Sequence, residues 1–155
     1  MVVVSGLQGL LDRAGQDLGA SGWHELPQHD VDAFADVTRD HQWIHVDPAR
    51  AAASPFGGTI VHGYFTLALL PMLHAEVFTV ADVAHGLNYG LDRVRFPAPA
   101  PVGSKIRAHV TLASAKEAGH GVQVKLETTV ETDAGSKPVC VAESLVRYYD
   151  KKAAS

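Results

Sequence analysis

The chain has 155 residues, the length of one domain, and its 46% hydrophobic and 19% charged residues are the composition of a globular protein with a buried core. A formal net charge of −4 and the lack of any basic run exclude a nucleic-acid partner held by phosphate neutralisation. The single cysteine, Cys140, excludes a disulfide within the chain. The start, MVVVSGLQGLLDRAGQDLG, lacks a basic segment and carries Asp12, Arg13 and Asp17, so it does not read as a signal peptide. The most apolar stretch, 59–83, contains His62, Pro71, His74, Glu76 and Asp82, which suits a buried helix and not a membrane span. A soluble, cytoplasmic protein with no membrane partner is expected.

In chain order, Ser5 is placed to cap a helix over about 6–18. Leu7, Leu10, Leu11, Ala14 and Leu18 form its apolar stripe, and Gly19 is its stop. Residues 22–27 read as a short strand around Trp23 and Leu26. Asp30 is placed to cap a second helix with Val31, Phe34, Ala35 and Thr38 on one face. The segment DHQWIHVDPARAA follows; its WIHV run reads as extended, and Asp47-Pro48 starts a helical turn through Ala53. After the SPFGG loop, TIVHGYFTLALLPMLHAEVF is apolar on nearly every side and predicts an enclosed helix, kinked near Leu67 by Pro71.

From about Leu87 the period becomes two. Ile106, Ala108, Val110 and Leu112 alternate with Arg107, His109 and Thr111; Val122, Val124, Leu126 and Val130 alternate with polar residues; 137–149 forms a last strand. Turn residues fall at 117–121 and 133–136. No repeat, linker or low-complexity segment interrupts the chain, so one domain over 1–155 is expected. An antiparallel meander with one apolar face and a wholly apolar helix solve each other's burial problem if the sheet curls around the helix. The predicted fold class is therefore α+β, a hot-dog fold.

Three features could carry chemistry. Asp40 and His45 stand five apart on a segment made apolar by Trp43 and Ile44; a carboxylate beside an imidazole in a dry pocket is a workable acid/base pair, whereas each alone reads as a solvated turn aspartate or a satisfied core histidine. His41, His45, Asp47 and His62 offer metal ligands, but the extended WIHV run and Pro48 argue against the helix that would align them, so no metal is expected. His62-Gly63 opens the long helix, where unpaired N–H groups and the dipole favour a negative oxygen and glycine permits close approach; His62 itself reads as a packing or hydrogen-bonding residue. Asn88-Tyr89-Gly90 with Arg93 and Arg95 reads either as a strand with a glycine irregularity or as a pocket wall whose arginines meet phosphates. The chain has no G-x-S-x-G elbow and no phosphate loop, and Cys140 lies in a strand pattern as a small apolar residue.

D-H-Q-W-I-H-V-D-P, P-F-G-G-T-I-V-H-G and N-Y-G-L-D-R-V-R-F-P-A-P, in that order over residues 20–149, resemble the MaoC-like, (R)-specific enoyl-CoA hydratases, nearest their nodulation-protein-N-like branch. The resemblance implies a hot-dog homodimer acting on an acyl-CoA, with no cofactor beyond the thioester substrate. It puts the family's catalytic aspartate and histidine on Asp40 and His45, and the glycine N–H that holds the thioester oxygen on Gly63. Gln42, Ile60, His62, Tyr64, Asn88, Tyr89, Gly90 and Arg95 are the substrate-binding residues it suggests. Many relatives carry Asn-Pro where this chain has Gln42-Trp43, a departure that bears on substrate range. The activity implied is reversible addition of water to a trans-2-enoyl-CoA. A thioesterase or a non-catalytic acyl-CoA binder is the alternative, since one fold hosts all three.

Overall fold

A computed structural model describes residues 1–151. In chain order the elements are β1 (Val2–Ser5), α1 (Gly6–Asp12), β2 (Gln16–Ala20), β3 (His24–Glu25), α2 (Gln28–Thr38), α3 (Trp43–Val46), α4 (Pro48–Ala52), α5 (Gly63–Ala68), α6 (Leu70–Val77), β4 (Phe78–Ala81), β5 (Val83–Arg95), β6 (Lys105–Ala118), β7 (Gly121–Thr132) and β8 (Cys140–Asp150). The main sheet is antiparallel, in the order β2-β6-β7-β8-β5, and β3 continues the β2 edge along β6. Where β2 and β3 are interrupted, Ser21 patches the ladder: its N–H reaches the Ala108 carbonyl and its Oγ accepts from the Ala108 N–H, both at 2.9 Å. A small parallel pair, β1 with β4, lies apart.

The two-residue period orients the sheet. Ile106, Ala108, Val110 and Leu112 on β6, Val124, Leu126 and Val130 on β7, and Cys140, Ala142 and Val146 on β8 are all buried. They join Leu70, Leu73 and Val77 of α6 and Leu10 of α1 in one core. The sheet therefore wraps the helix, as the hot-dog fold requires. No helix of the described residues is long and apolar enough to cross a membrane.

Several expectations need correction. The first helix ends at Asp12, not near residue 18: Gly15 adopts φ +85°, and Leu18 is buried as a strand residue of β2. Asp30 sits in the first turn of α2, and Pro27 occupies the cap position. WIHV is helical, not extended, because Gln42 caps it and the His45 N–H returns to the Gln42 carbonyl at 2.9 Å. The long helix is broken into α5 and α6 at Leu69, with Pro71 in the first turn of α6, where its missing donor is harmless. It is also open on one side, since Tyr64 is 72% exposed.

The strands do not all meander. β5 pairs with β8, across the sheet from β6, and the connection FPAPAPVGS (96–104) travels from one edge to the other. Prolines cannot donate, so Val61 N–H reaches the Ala100 carbonyl (2.8 Å), Val102 N–H reaches the Thr59 carbonyl (2.9 Å), and Gly103 N–H reaches the Leu26 carbonyl (2.8 Å). The first two of these bonds pin the strip 59–61, just ahead of α5, and so place the site.

Candidate active site

The turn after α2 delivers the first acidic group. Arg39 adopts the left-handed conformation (φ 67°) and ends the helix, and Asp40 follows with its N–H 3.4 Å from Thr38 Oγ1. The next element, α3, turns His45 inward, while the half-buried Trp43 packs beneath the Arg50 guanidinium, 4.4 Å from its ring centroid. Asp47 caps α4 by accepting from the Arg50 N–H at 3.0 Å.

His45 is 6% exposed, and its Nδ1 lies 2.7 Å from the Ile60 carbonyl oxygen. A carbonyl only accepts, so Nδ1 carries the proton and Nε2 of the neutral ring keeps its lone pair. Burial lowers the ring's pKa most; the Ile60 bond pulls it back up, His62 pushes it down and Asp40 raises it. The net direction is downward, so His45 is neutral at neutral pH and able to take a proton.

His62, 2% exposed, stacks on His45 with ring centroids 3.8 Å apart at 25°, and its other neighbour is Phe34 at 5.1 Å. Its Nε2–H donates to the main-chain carbonyl of Asp40 at 3.0 Å, which fixes the residue carrying the carboxylate; its Nδ1 is buried without a protein partner. One side-chain atom each of Asp40, His45 and His62 lies within 4.8 Å of the others, the set among the described residues able to hold a metal ion. Ring lone pairs lie in the ring planes, however, and two stacked planes run side by side instead of converging on one ion. A hydrogen-bonded water suits this arrangement better. His41, paired with Asp36 at 2.8 Å, and Asp47, at its cap, stand outside the cluster.

Gly63 opens α5 beside this cluster, and a cavity of about 250 Å³ joins His45, Ile60, Gly63, Thr66, Phe96 and Val139. A β-carbon on Gly63 would stand 2.9 Å from the Phe96 ring, so any larger residue here would have to displace that ring. The Phe65 and Thr66 N–H groups both donate to the His62 carbonyl, at 3.0 and 3.1 Å, which leaves the N–H groups of Gly63 and Tyr64 without a partner inside the helix at the positive end of its dipole.

Of the residues singled out by sequence, the structure brings together Asp40, His45, Ile60, His62 and Gly63. Gln42 is exposed, its N–H 3.4 Å from Asp40 Oδ1. Tyr64 points outward and meets Phe96 edge-on at 6.1 Å. Asn88, Tyr89 and Gly90 lie on the exposed edge strand β5; Tyr89 packs under the Arg147 guanidinium at 3.4 Å, and Asn88 borders another cavity with His74 and Tyr148. Arg95 bonds its own neighbour's carbonyl, Val94 O, at 2.7 Å. Within one chain these last five do not reach the cluster. Sequence reasoning missed Phe96, Thr66 and Val139. Phe96 sat within the quoted R-F-P-A-P stretch; Thr66 and Val139 look like any core position.

Comparison with known proteins identifies the family and the fold. The family model of the MaoC-like domain matches residues 11–135. The 3-hydroxyacyl-thioester dehydratase Z of Mycobacterium tuberculosis is 56% identical over 136 residues, 87% of this chain and 90% of the relative. Nodulation protein N of Rhizobium leguminosarum bv. viciae is 45% identical, over 84% of this chain and 83% of its own. Among solved structures, the (R)-hydratase from A. caviae involved in PHA biosynthesis superposes with a TM-score of 0.70 at 26% identity, covering 86% of this chain and 94% of that one. The unliganded (R)-hydratase PhaJ1 of Pseudomonas aeruginosa gives a TM-score of 0.71 at 24% identity, over 89% and 83%.

Proposed function

Because the chain belongs to the MaoC-like dehydratase family and is a dehydratase enzyme, we propose that it adds water reversibly to trans-2-enoyl-CoA thioesters, giving (R)-3-hydroxyacyl-CoA. The observation that carries this reading is the approach of the exposed Asp40 carboxylate to within 4.8 Å of the His45 ring, which itself lines the cavity shared with Gly63 at the start of α5. His45 Nε2 and Asp40 hold one water by its two hydrogens. As its oxygen bonds to C3, the C2–C3 π pair moves toward the thioester oxygen, and the water's proton passes to His45. The Ile60 carbonyl, bonded to Nδ1–H, stabilises the imidazolium that forms. The enolate oxygen lies against the Gly63 N–H at the helix terminus, where charge develops. The pair then returns a proton to C2, so the enzyme ends unchanged. (R) is the hand named for the hydratases of similar fold.

We place the enzyme in the cytoplasm as a homodimer. The free, buried thiol of Cys140 fits a reducing compartment, and the uncovered strand β5 fits pairing with a second copy.

The test is the loss of enoyl absorbance from crotonyl-CoA, with chiral analysis of the product. Acid/base groups of this kind contribute ~10²–10⁴-fold each. Asp40→Asn and His45→Gln are expected to lose that much turnover while unfolding at the wild-type temperature. Near-wild-type hydration by both would remove the assignment. Thiol release detected by a colour reagent, without hydration, would point to a thioesterase instead.

A further inference from the structure

His45 is held from outside the cavity by a residue that neither the composition nor the family motifs single out. Gln28 opens α2 and is half-buried. Its Nε2 donates to the main-chain carbonyl of His45 at 2.7 Å and to Asp32 Oδ1 at 2.9 Å, and its Oε1 accepts from Thr59 Oγ1 at 2.6 Å. Both hydrogens and the oxygen of the amide are thus engaged. Thr59, itself buried, immediately precedes Ile60, whose carbonyl accepts from His45 Nδ1 at 2.7 Å and whose N–H donates to the Ile44 carbonyl at 3.0 Å. One amide therefore ties residue 45 to residue 59 alongside the bond that selects the histidine's tautomer.

We infer that Gln28 is a positioning residue: through its paired bonds to the His45 carbonyl and the Thr59 hydroxyl, it fixes the Ile60 carbonyl against His45 Nδ1 and so keeps Nε2 as the bare nitrogen facing the cavity. The inference rests on the reading of His45 as the group that takes the proton from water. The chemistry requires an amide at this length. A glutamate offers no donor to the His45 carbonyl and sets its charge beside Asp32. An alanine leaves that carbonyl and the Thr59 hydroxyl unpaired, and an asparagine is one methylene too short for both. Gln28 touches neither the cavity nor a reacting atom, so its effect is exerted through the histidine.

The experiment compares wild type, Gln28→Ala, the isosteric Gln28→Glu and Thr59→Val in crotonyl-CoA hydration, and reads the His45 ring nitrogens by NMR. Small misplacements of a catalytic group cost up to about 10²-fold. Gln28→Ala and Gln28→Glu are expected to lose about 10–100-fold in kcat, with KM within about threefold of wild type. Thr59→Val should move the same way by a smaller factor. In a His45→Gln background, Gln28→Glu should add no more than about twofold, because the residue it acts through is gone. The ring nitrogens should report Nδ1–H in wild type and a mixture of tautomers in Gln28→Glu. Should Gln28→Ala fail to fold, Gln28→Glu and Thr59→Val decide. Unchanged kcat in Gln28→Glu, or a loss that persists undiminished without His45, overturns the inference and leaves the Asp40/His45 assignment standing. A wild type inert toward enoyl thioesters overturns that assignment, and the tautomer alone then decides: redistribution in Gln28→Glu sustains the positioning role, and an unaltered pattern ends it.

Discussion

At the scale of single residues, two histidines of one type are put to opposite ends by their neighbours. His45 has a carbonyl on Nδ1 and a carboxylate within reach, and its Nε2 is left for chemistry. His74 is buried with only Thr128 Oγ1 on its Nε2, at 2.8 Å, and burial pushes its pKa down to about 4. In the unfolded chain it titrates near 6.5, so between these two values the unfolded state binds the extra proton and the fold loses stability as pH falls. The loss attributable to His74 is roughly 3 kcal/mol by about pH 4. Urea midpoints measured from neutral pH down to that point should fall less steeply for His74→Leu/Thr128→Val than for wild type; removing the threonine hydroxyl with the ring avoids stranding it. Gly63 gives a second test. A methyl there meets the half-exposed Phe96 ring, which can shift, so Gly63→Ala should cost only about 1 kcal/mol in stability. Its turnover should fall on the order of 10²–10³-fold, because the approach to the helix N–H is blocked. Adding Phe96→Leu should recover the stability and not the turnover. The proximity of Asp40, His45 and Gly63 was legible in the sequence because the proposed chemistry calls for particular residue types at short spacing. Gln28 and Thr59 were not: they act through backbone carbonyls, and their separation of 31 positions leaves no local pattern.

Elements were legible where periodicity and burial coincide. The alternation in β6 and β7 gave the buried face of each strand, and Asp47-Pro48 marked the start of α4. Misreadings fell where a backbone conformation outweighs propensity. The apolar stripe of α1 runs on past Asp12, but Gly15 at positive φ turns the chain into β2. The β-branched content of WIHV suggests extension, yet one turn of helix is what points His45 inward. The order of the strands was hidden because β5 reaches the far edge through a proline-rich connection with no periodicity of its own. The end of α2 shows the same competition within one residue. Arg39 holds φ 67° at a position that favours glycine, and its side chain is exposed. Relief of that strain outweighs the extra freedom glycine gives the unfolded chain. Arg39→Gly should therefore stabilise the protein by about 0.5–1 kcal/mol, seen as a rise of roughly 1–4 °C in the unfolding temperature. An unchanged or lower temperature would mean that Arg39 makes a compensating contact.

For the whole molecule, the sheet edge formed by β5 carries a run of exposed apolar residues. β5 is an edge strand over thirteen residues, exposed along nearly all its length, and Leu87, Tyr89 and Leu91 on it are 53%, 55% and 47% exposed. The outward side of the helix pair, with Tyr64 and Met72, is uncovered as well. A long, flat, apolar edge with unpaired N–H and C=O groups is a template for another strand, and isolated proteins blunt such edges with charge, proline or bulges. β5 does contain Asp92, Arg93 and Arg95 and irregular register at Val83–His85, Asn88–Gly90 and Leu91–Arg93, yet its leucines and tyrosine keep the apolar character between them. Pairing of β5 with its copy about a twofold axis would join two sheets into one and satisfy both rows of backbone groups; the self-complementarity of an antiparallel strand pair makes this the economical arrangement. Light scattering at micromolar concentration should give twice the chain's 16.5 kDa. Leu87→Lys/Leu91→Lys, which sets like charges opposite one another across the axis, should return the mass to that of one chain while α6 and the inner face of the sheet keep their packing, as reported by far-ultraviolet circular dichroism. A wild type that scatters as a single chain would show instead that these leucines and Tyr89 are tolerated in water, and that the family fold here stands without a second copy.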